Sequence, residues 1–423
     1  MNLKKYLTKI FATALAVSVM ACGSGCTGSS GNSNDDEKKD FDATKLPFYE
    51  KNVEELSYDY TDRQRIIPIW QSNVIYNEQL MIVEKDGVIQ GKLLYKPSRV
   101  ISVKDATLKT EYQKDKDYVI TGDLITIPEG SSIPVFKDEW SEGKNVPANY
   151  PVGAAATGYQ MIGSVIYTES GLIWGNYIHV TYAYDPADFD RTTVKSFNDE
   201  LYGLSQKIKA KDNIKMTVFG DSISEGCSAS KTWNHDPQCP PYATLVKDGI
   251  EEFGNIGVEF TNLSVGGKDS SWAAEDAQIS ALSESAPDLL ILAFGTNDAY
   301  SAVESGRYRK NLIKIISAAK AVNSECQIIV IAPFPSNAKT KTDEAHENMV
   351  KELKKLTEED AKSEKWTDIC LVDMYHAVKP MLAKKNYYEI AANNINHPND
   401  FIHRYYAMNI LSAIFDFANY TTK

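Results

Sequence analysis

The chain is poor in positive charge. Its 423 residues hold 45 Lys and Arg against 57 Asp and Glu, a formal net charge of −12. No basic stripe is available to meet phosphates, which argues against a nucleic-acid partner. Long apolar runs are lacking too. The run from Ile10 to Ala21 is too short to cross a bilayer. Cysteine is scarce, and no Cys/His cluster has the spacing of a metal site, so neither metal nor cofactor is expected. Histidine is scarcer in effect, because a proton-transfer role has only His179, His235, His346, His376, His397 and His403 to choose from.

What is present divides into four parts. Lys4, Lys5 and Lys9 precede the Ile10–Ala21 run, the pattern of a targeting segment over residues 1–21. The segment ends Val19-Met20-Ala21-Cys22, which resembles a bacterial lipobox and implies lipidation of Cys22. An ordinary signal peptide, with Cys22 incidental, is the alternative. Residues 22–46 are mostly Gly, Ser, Asn, Asp and Lys, cannot bury a core, and read as a flexible tether. Together these predict an extracytoplasmic protein held to the bacterial cell surface by a lipid anchor alone.

Residues 47–190 read as β. Strand-like runs flank Asp86-Gly87 and again Gly122-Asp123, both two-residue hairpin signals. Tyr177–Tyr184 is a long strand candidate. Short strands with frequent turns predict an all-β sandwich or jelly roll. Trp70, Trp140 and Trp174 are candidates to stack on a sugar, although core packing is the commoner use of such residues.

Residues 191–423 alternate. A helix is expected over 193–210, with Val194, Phe197, Leu201, Leu204 and Ile208 on one face. Strands are then predicted over 216–219, 258–263, 288–294, 327–332 and 369–373. Helices are predicted over 242–253, 272–285, 307–321, 343–362 and 401–420. This pattern predicts an α/β domain, a parallel sheet flanked by helices in three layers. Sites in such sheets collect at the carboxyl ends of the strands. Ser222, Gly267, Asn297 and the 394–403 loop all fall there or within reach of it.

Four short blocks carry the chemistry. They are Gly220-Asp221-Ser222, Asn262 to Gly267, Gly295-Thr296-Asn297-Asp298, and Asn396-His397-Pro398-Asn399-Asp400. In this order and spacing they resemble the SGNH, or GDSL, hydrolase family. The β module ahead of them is similar to the arrangement of bacterial carbohydrate esterases. The resemblance implies that Ser222 is the nucleophile. It implies an oxyanion hole from the Ser222 N–H, the Gly267 N–H and the Asn297 side chain, with Gly266 a weaker substitute for Gly267.

The base is less settled. The family ends in Asp-x-x-His before the last helix. His397 matches the His-Pro-Asn part, but Asn394 stands where the Asp belongs. Asp400 and His403 supply a literal Asp-x-x-His, yet beyond the proline, where Asp400 reads as a first-turn acid and His403 as a helix-surface residue. With His397 as base, Asn394 or a backbone carbonyl is left to orient the ring. Either would stabilise imidazolium less than a carboxylate, so a slow enzyme is expected. The implied activity is removal of small acyl groups, acetyl first among them, from carbohydrate. The rival is a non-catalytic glycan-binding lipoprotein on a decayed hydrolase scaffold, motivated by the absent aspartate. A Cys227–Cys239 disulfide is allowed in an exported protein but not required.

Overall fold

The computed structural model describes residues 41–58, 60–148 and 158–420. Cys22, the targeting segment and most of the tether lie outside the described residues.

Among the described residues the N-terminal module holds ten strands. They are β1 (Val74–Leu80), β2 (Ile82–Lys85), β3 (Val88–Lys92), β4 (Pro97–Asp105), β5 (Val119–Thr121), β6 (Leu124–Thr126), β7 (Val135–Lys137), β8 (Gln160–Ile162), β9 (Val165–Tyr167) and β10 (Ile178–Tyr184). One sheet runs β1-β10-β4, all antiparallel; a second runs β5-β6-β3-β2-β7; β8 and β9 form a separate ribbon. Ile75, Leu80, Val103, Val180 and Tyr182 of the first sheet share a core with Ile82 and Ile125 of the second. This is a β-sandwich. Both hairpins fall where the turn residues put them. Asp86 and Gly87 take φ of 52° and 77°, the left-handed pair that such a turn demands.

The second half holds β11 (Ile214–Gly220), β12 (Val258–Asn262), β13 (Leu289–Ala293), β14 (Gln327–Ile331) and β15 (Ile369–Val372). They form one parallel sheet in the order β12-β11-β13-β14-β15. Successive side chains of a strand point to opposite faces, and here both faces are apolar. Leu289 and Ile291 pack with the helices Tyr242–Gly254 and Asp400–Ile414. Leu290 and Leu292 pack with Ser305–Val322 and Asp343–Lys355. A strand apolar on both faces needs cover on both, and that makes the three layers.

Two expectations are corrected. The helix expected over 193–210 forms only at Tyr202–Ala210. Asp199 sits at φ 60°, a left-handed conformation that no helix continues through, and the Lys195 N–H is taken by the Asn409 side chain. The last helix stops at Ile414 rather than 420, and every residue in it is buried. A helix buried on every face has to be enclosed by other elements. This one lies between the sheet and the β module. Its Arg404 donates to the carbonyls of Arg65, Tyr76 and Asn77.

The two modules therefore share one core rather than touching at a surface. Tyr177 donates to the Tyr388 carbonyl, and the Phe401 N–H donates to Gln79. The three tryptophans proposed for sugar stacking are used inside this packing. Trp70 lies against Phe189 and Tyr405, and Trp140 against Phe136. Trp174 stacks on His235 with ring centroids 3.9 Å apart.

Candidate active site

β11 ends at Gly220, and the chain turns at once into the short helix Ser222–Glu225. Gly220 is needed there. A Cβ on it would lie 2.3 Å from Ser224 Oγ and 2.6 Å from the Ala293 carbonyl of the neighbouring strand. Asp221 caps the turn by accepting the Ile223 N–H at 3.0 Å. Burial pushes the Asp221 carboxyl up to about 7. Ser222 then heads the helix, where the first N–H groups have no intrahelical acceptor.

The second block is bolted to the first. Asn262 donates to the Ser224 carbonyl at 2.9 Å and accepts the Ser264 N–H at 3.0 Å. The Gly266 N–H donates to Glu225 at 2.7 Å. That bond commits Gly266 elsewhere and leaves Gly267, at φ +73° with open space around it, as the block's candidate donor. In the third block, the Asn297 amide donates to the Lys268 carbonyl at 2.9 Å. An amide carries two N–H donors, so one remains for a substrate. Asp298 accepts both the N–H and the hydroxyl of Ser270, which ties the third block to the segment after the second. Burial raises its carboxyl to about 6.

The histidine is His397. Its Nε2 lies 2.9 Å from Ser222 Oγ, within the reach a nucleophile needs of its base. Asn393 Oδ1 accepts the N–H groups of Ile395, Asn396 and His397, each at 2.9 Å, and so sets the loop that presents the ring.

Asn394 does not orient the ring. It points away, donating to the carbonyls of Ser141 and Ile166 at 3.2 Å and accepting from Asn337. The His397 Nδ1–H instead donates to Glu169 Oε1 at 2.6 Å. Glu169 follows β9 and is 228 residues away in sequence. Its other oxygen accepts the Ser228 hydroxyl at 2.6 Å. A carboxylate therefore stands beside the imidazole, and the ground for expecting a slow enzyme or a decayed scaffold falls away.

The alternative pair does not assemble. Asp400 Oδ1 accepts the Ser230 N–H. His403 is fully buried, not on the helix surface: Nδ1 accepts the Tyr242 N–H at 3.3 Å and Nε2 donates to the Cys227 carbonyl at 3.1 Å. Burial lowers it to about 4, so it stays neutral near pH 7. His346 is also buried and donates to the Thr342 carbonyl. Cys227 and Cys239 are free thiols.

No sequence signal near residue 169 marked Glu169. The one clue was the asparagine at 394, which said that any carboxylate for His397 had to come from another part of the chain.

A serine hydroxyl bonded to an imidazole at the carboxyl end of a parallel sheet is the nucleophile–base pair that a serine hydrolase requires. Residues 218–405 match the family model of the GDSL-like Lipase/Acylhydrolase family. This part of the chain is therefore a GDSL-like hydrolase domain. A search of curated proteins finds no match to the chain. Among solved structures, a two-domain esterase active on acetylated mannans is similar at 17% identity, over 52% of this chain and 53% of that one, with a TM-score of 0.39. The chain thus spans about half the length of that esterase. An acetylxylan esterase from Geobacillus stearothermophilus is similar at 18% identity over 48% of this chain and 95% of its own, TM-score 0.39. A lipolytic G-D-S-L family member from Veillonella parvula is similar at 20% identity over 47% and 96%, TM-score 0.36.

Proposed function

We propose that the chain is an exported esterase that removes small acyl groups, acetyl foremost, from carbohydrate. Ser222 attacks the ester carbonyl while His397 takes its proton. The Ser222 and Gly267 N–H groups and the Asn297 amide receive the oxyanion. The intermediate collapses, the sugar alkoxide leaves with the proton from Nε2, and water, activated by the same imidazole, deacylates Ser222. The observation that carries this reading is the 2.9 Å contact between His397 Nε2 and Ser222 Oγ. The sugar half rests on the sequence, whose β module ahead of four SGNH blocks is similar to bacterial carbohydrate esterases.

Acetate release from a panel of acetylated oligosaccharides tests it. The purified chain is expected to deacetylate at least one member with kcat/KM above about 10⁴ M⁻¹s⁻¹. Turnover of simple aryl esters with no release from any sugar would overturn the carbohydrate assignment and keep the esterase.

We further propose lipid anchoring at Cys22, supported by the Val19-Met20-Ala21-Cys22 sequence. Expressed in a bacterium with radiolabelled palmitate, the intact chain is expected to take up label and the Cys22→Ala variant none. Equal labelling of the two sinks the assignment.

A further inference from the structure

The catalytic pair named above lies wholly in the α/β domain, but the group that holds its imidazole does not. We infer that Glu169 is the positioning residue of His397, so that the β module is a working part of the active site rather than an appended sugar binder. This inference rests on the serine esterase reading.

Its first support is the bonding itself. Glu169 Oε1 accepts from Nδ1 at 2.6 Å while Nε2 faces Ser222 at 2.9 Å. With the ring proton fixed on Nδ1, the Nε2 lone pair is the one aimed at the serine hydroxyl. Both side chains are 10% exposed, so the charge-assisted bond sits largely away from water. When Nε2 takes the serine proton, the carboxylate is already placed to stabilise the imidazolium. It moves no proton itself.

The second support is how Glu169 is held. Its Oε2 accepts from Ser228, six positions beyond the nucleophile on the same loop, so the carboxylate bridges both partners of the reaction. On one side of it, the Thr168 N–H reaches the Asn393 carbonyl of the His397 loop, and the Thr168 hydroxyl bonds Ser170. On the other, Ser170 caps the short helix Gly171–Trp174 through the Leu172 N–H.

The third support is Asn394. It occupies the position from which the resembled family supplies its aspartate, and it spends its amide on the carbonyls of Ser141 and Ile166. Ile166 belongs to β9, the strand that delivers Glu169. Asn394 sits at φ +63°, a conformation that asparagine tolerates better than most residues. The residue that replaces the aspartate thus fastens in place the segment that brings the carboxylate. Loss of an acid in one block and gain of one from another module are two sides of a single arrangement.

The test uses the full chain and its Glu169→Gln variant. On p-nitrophenyl acetate the variant is expected to lose about 10²–10⁴-fold in kcat with KM within about threefold, because a misdirected ring tautomer costs the transition state and not ground-state binding. Proton NMR of the unmodified chain is expected to show a far-downfield Nδ1 proton that vanishes in Glu169→Gln and in His397→Gln. A folded Glu169→Gln enzyme with kcat within about threefold of the parent overturns the inference. So does the absence of that resonance from the parent, a result that needs no variant to fold. Failure of the esterase reading is visible separately, as no turnover and no labelling of Ser222 by a fluorophosphonate in the parent.

Discussion

Replacing Ser222 with Ala is expected to lower kcat on an activated acetyl ester by about 10⁶-fold. Among the described residues, the oxygen nucleophile placed against Nε2 of His397 is Ser222 Oγ, at 2.9 Å. His397→Ala is expected to cost about as much, because a serine hydroxyl at neutral pH is a poor nucleophile without a base in contact. The two losses do not add. Once either partner is gone, the other has nothing to act on, and the double variant is expected to match the single ones within about threefold. What remains over water is expected from the proposed oxyanion donors, the Gly267 N–H and the Asn297 amide. His403 gives a contrasting result. It is neutral, buried and bonded to the Tyr242 N–H and the Cys227 carbonyl, so His403→Gln acts through the packing of the loop after the nucleophile. Its effect is expected on the denaturation midpoint far more than on kcat. Steady-state kinetics of the four variants settle the matter. A Ser222→Ala enzyme retaining a tenth of the parent rate, or a kcat loss in His403→Gln equal to that of His397→Ala, would overturn the assignment.

The sequence made the strands of the parallel sheet and the turn that carries Ser222 readable, and it left the carboxylate unreadable. β11, β13 and β14 are apolar on both faces, so Met216–Phe219 and Leu289–Phe294 stand out whatever surrounds them. Gly220, two positions before Ser222, is demanded in part by Ser224 Oγ of the same turn, and such demands leave local traces. Choosing Gly267 over Gly266 needed only the block pattern, and the bond from Gly266 to Glu225 gives the physical reason. Glu169 left no trace of that kind. A carboxylate between Thr168 and Ser170 on a turn looks like solvated surface, and its meaning comes from a fold that closes 228 residues of chain. The misread helix over 194–201 failed for a related cause. Val194, Phe197 and Leu201 do keep helical spacing, but Lys195 is recruited by Asn409 of the last helix, and tertiary bonding overrode the local period.

Lys385→Met is expected to destabilise the folded chain by roughly 3–5 kcal/mol, the cost of leaving a buried charge without its partner. Glu78, on β1, is fully buried, and its carboxylate accepts from the Leu94 N–H, the Tyr182 hydroxyl and the Lys385 ammonium. Lys385 is buried too and also donates to the Lys92 carbonyl. It lies just past the helix Met374–Leu382, so this pair joins the α/β domain to the β module in a place that water does not reach. The neighbouring Lys384 donates to the Leu94 carbonyl and lies over the Tyr95 ring, 4.6 Å from its centroid, as a second clasp on the same strand end. Methionine matches the volume of the lysine stem, so the loss reads the charge rather than a cavity. Adding Glu78→Gln removes the stranded charge while keeping an acceptor for Leu94 and Tyr182. The double variant is therefore expected to recover most of the loss, with a coupling energy of about 2 kcal/mol or more in a double-mutant cycle. Urea denaturation followed by tryptophan fluorescence measures all four corners. Should Lys385→Met cost under about 1 kcal/mol, the pair behaves as a surface bridge and the interface is wet. The expected loss, by contrast, would mean that the segment carrying Glu169 is held against His397 by a core continuous across both modules, and that the two modules unfold together.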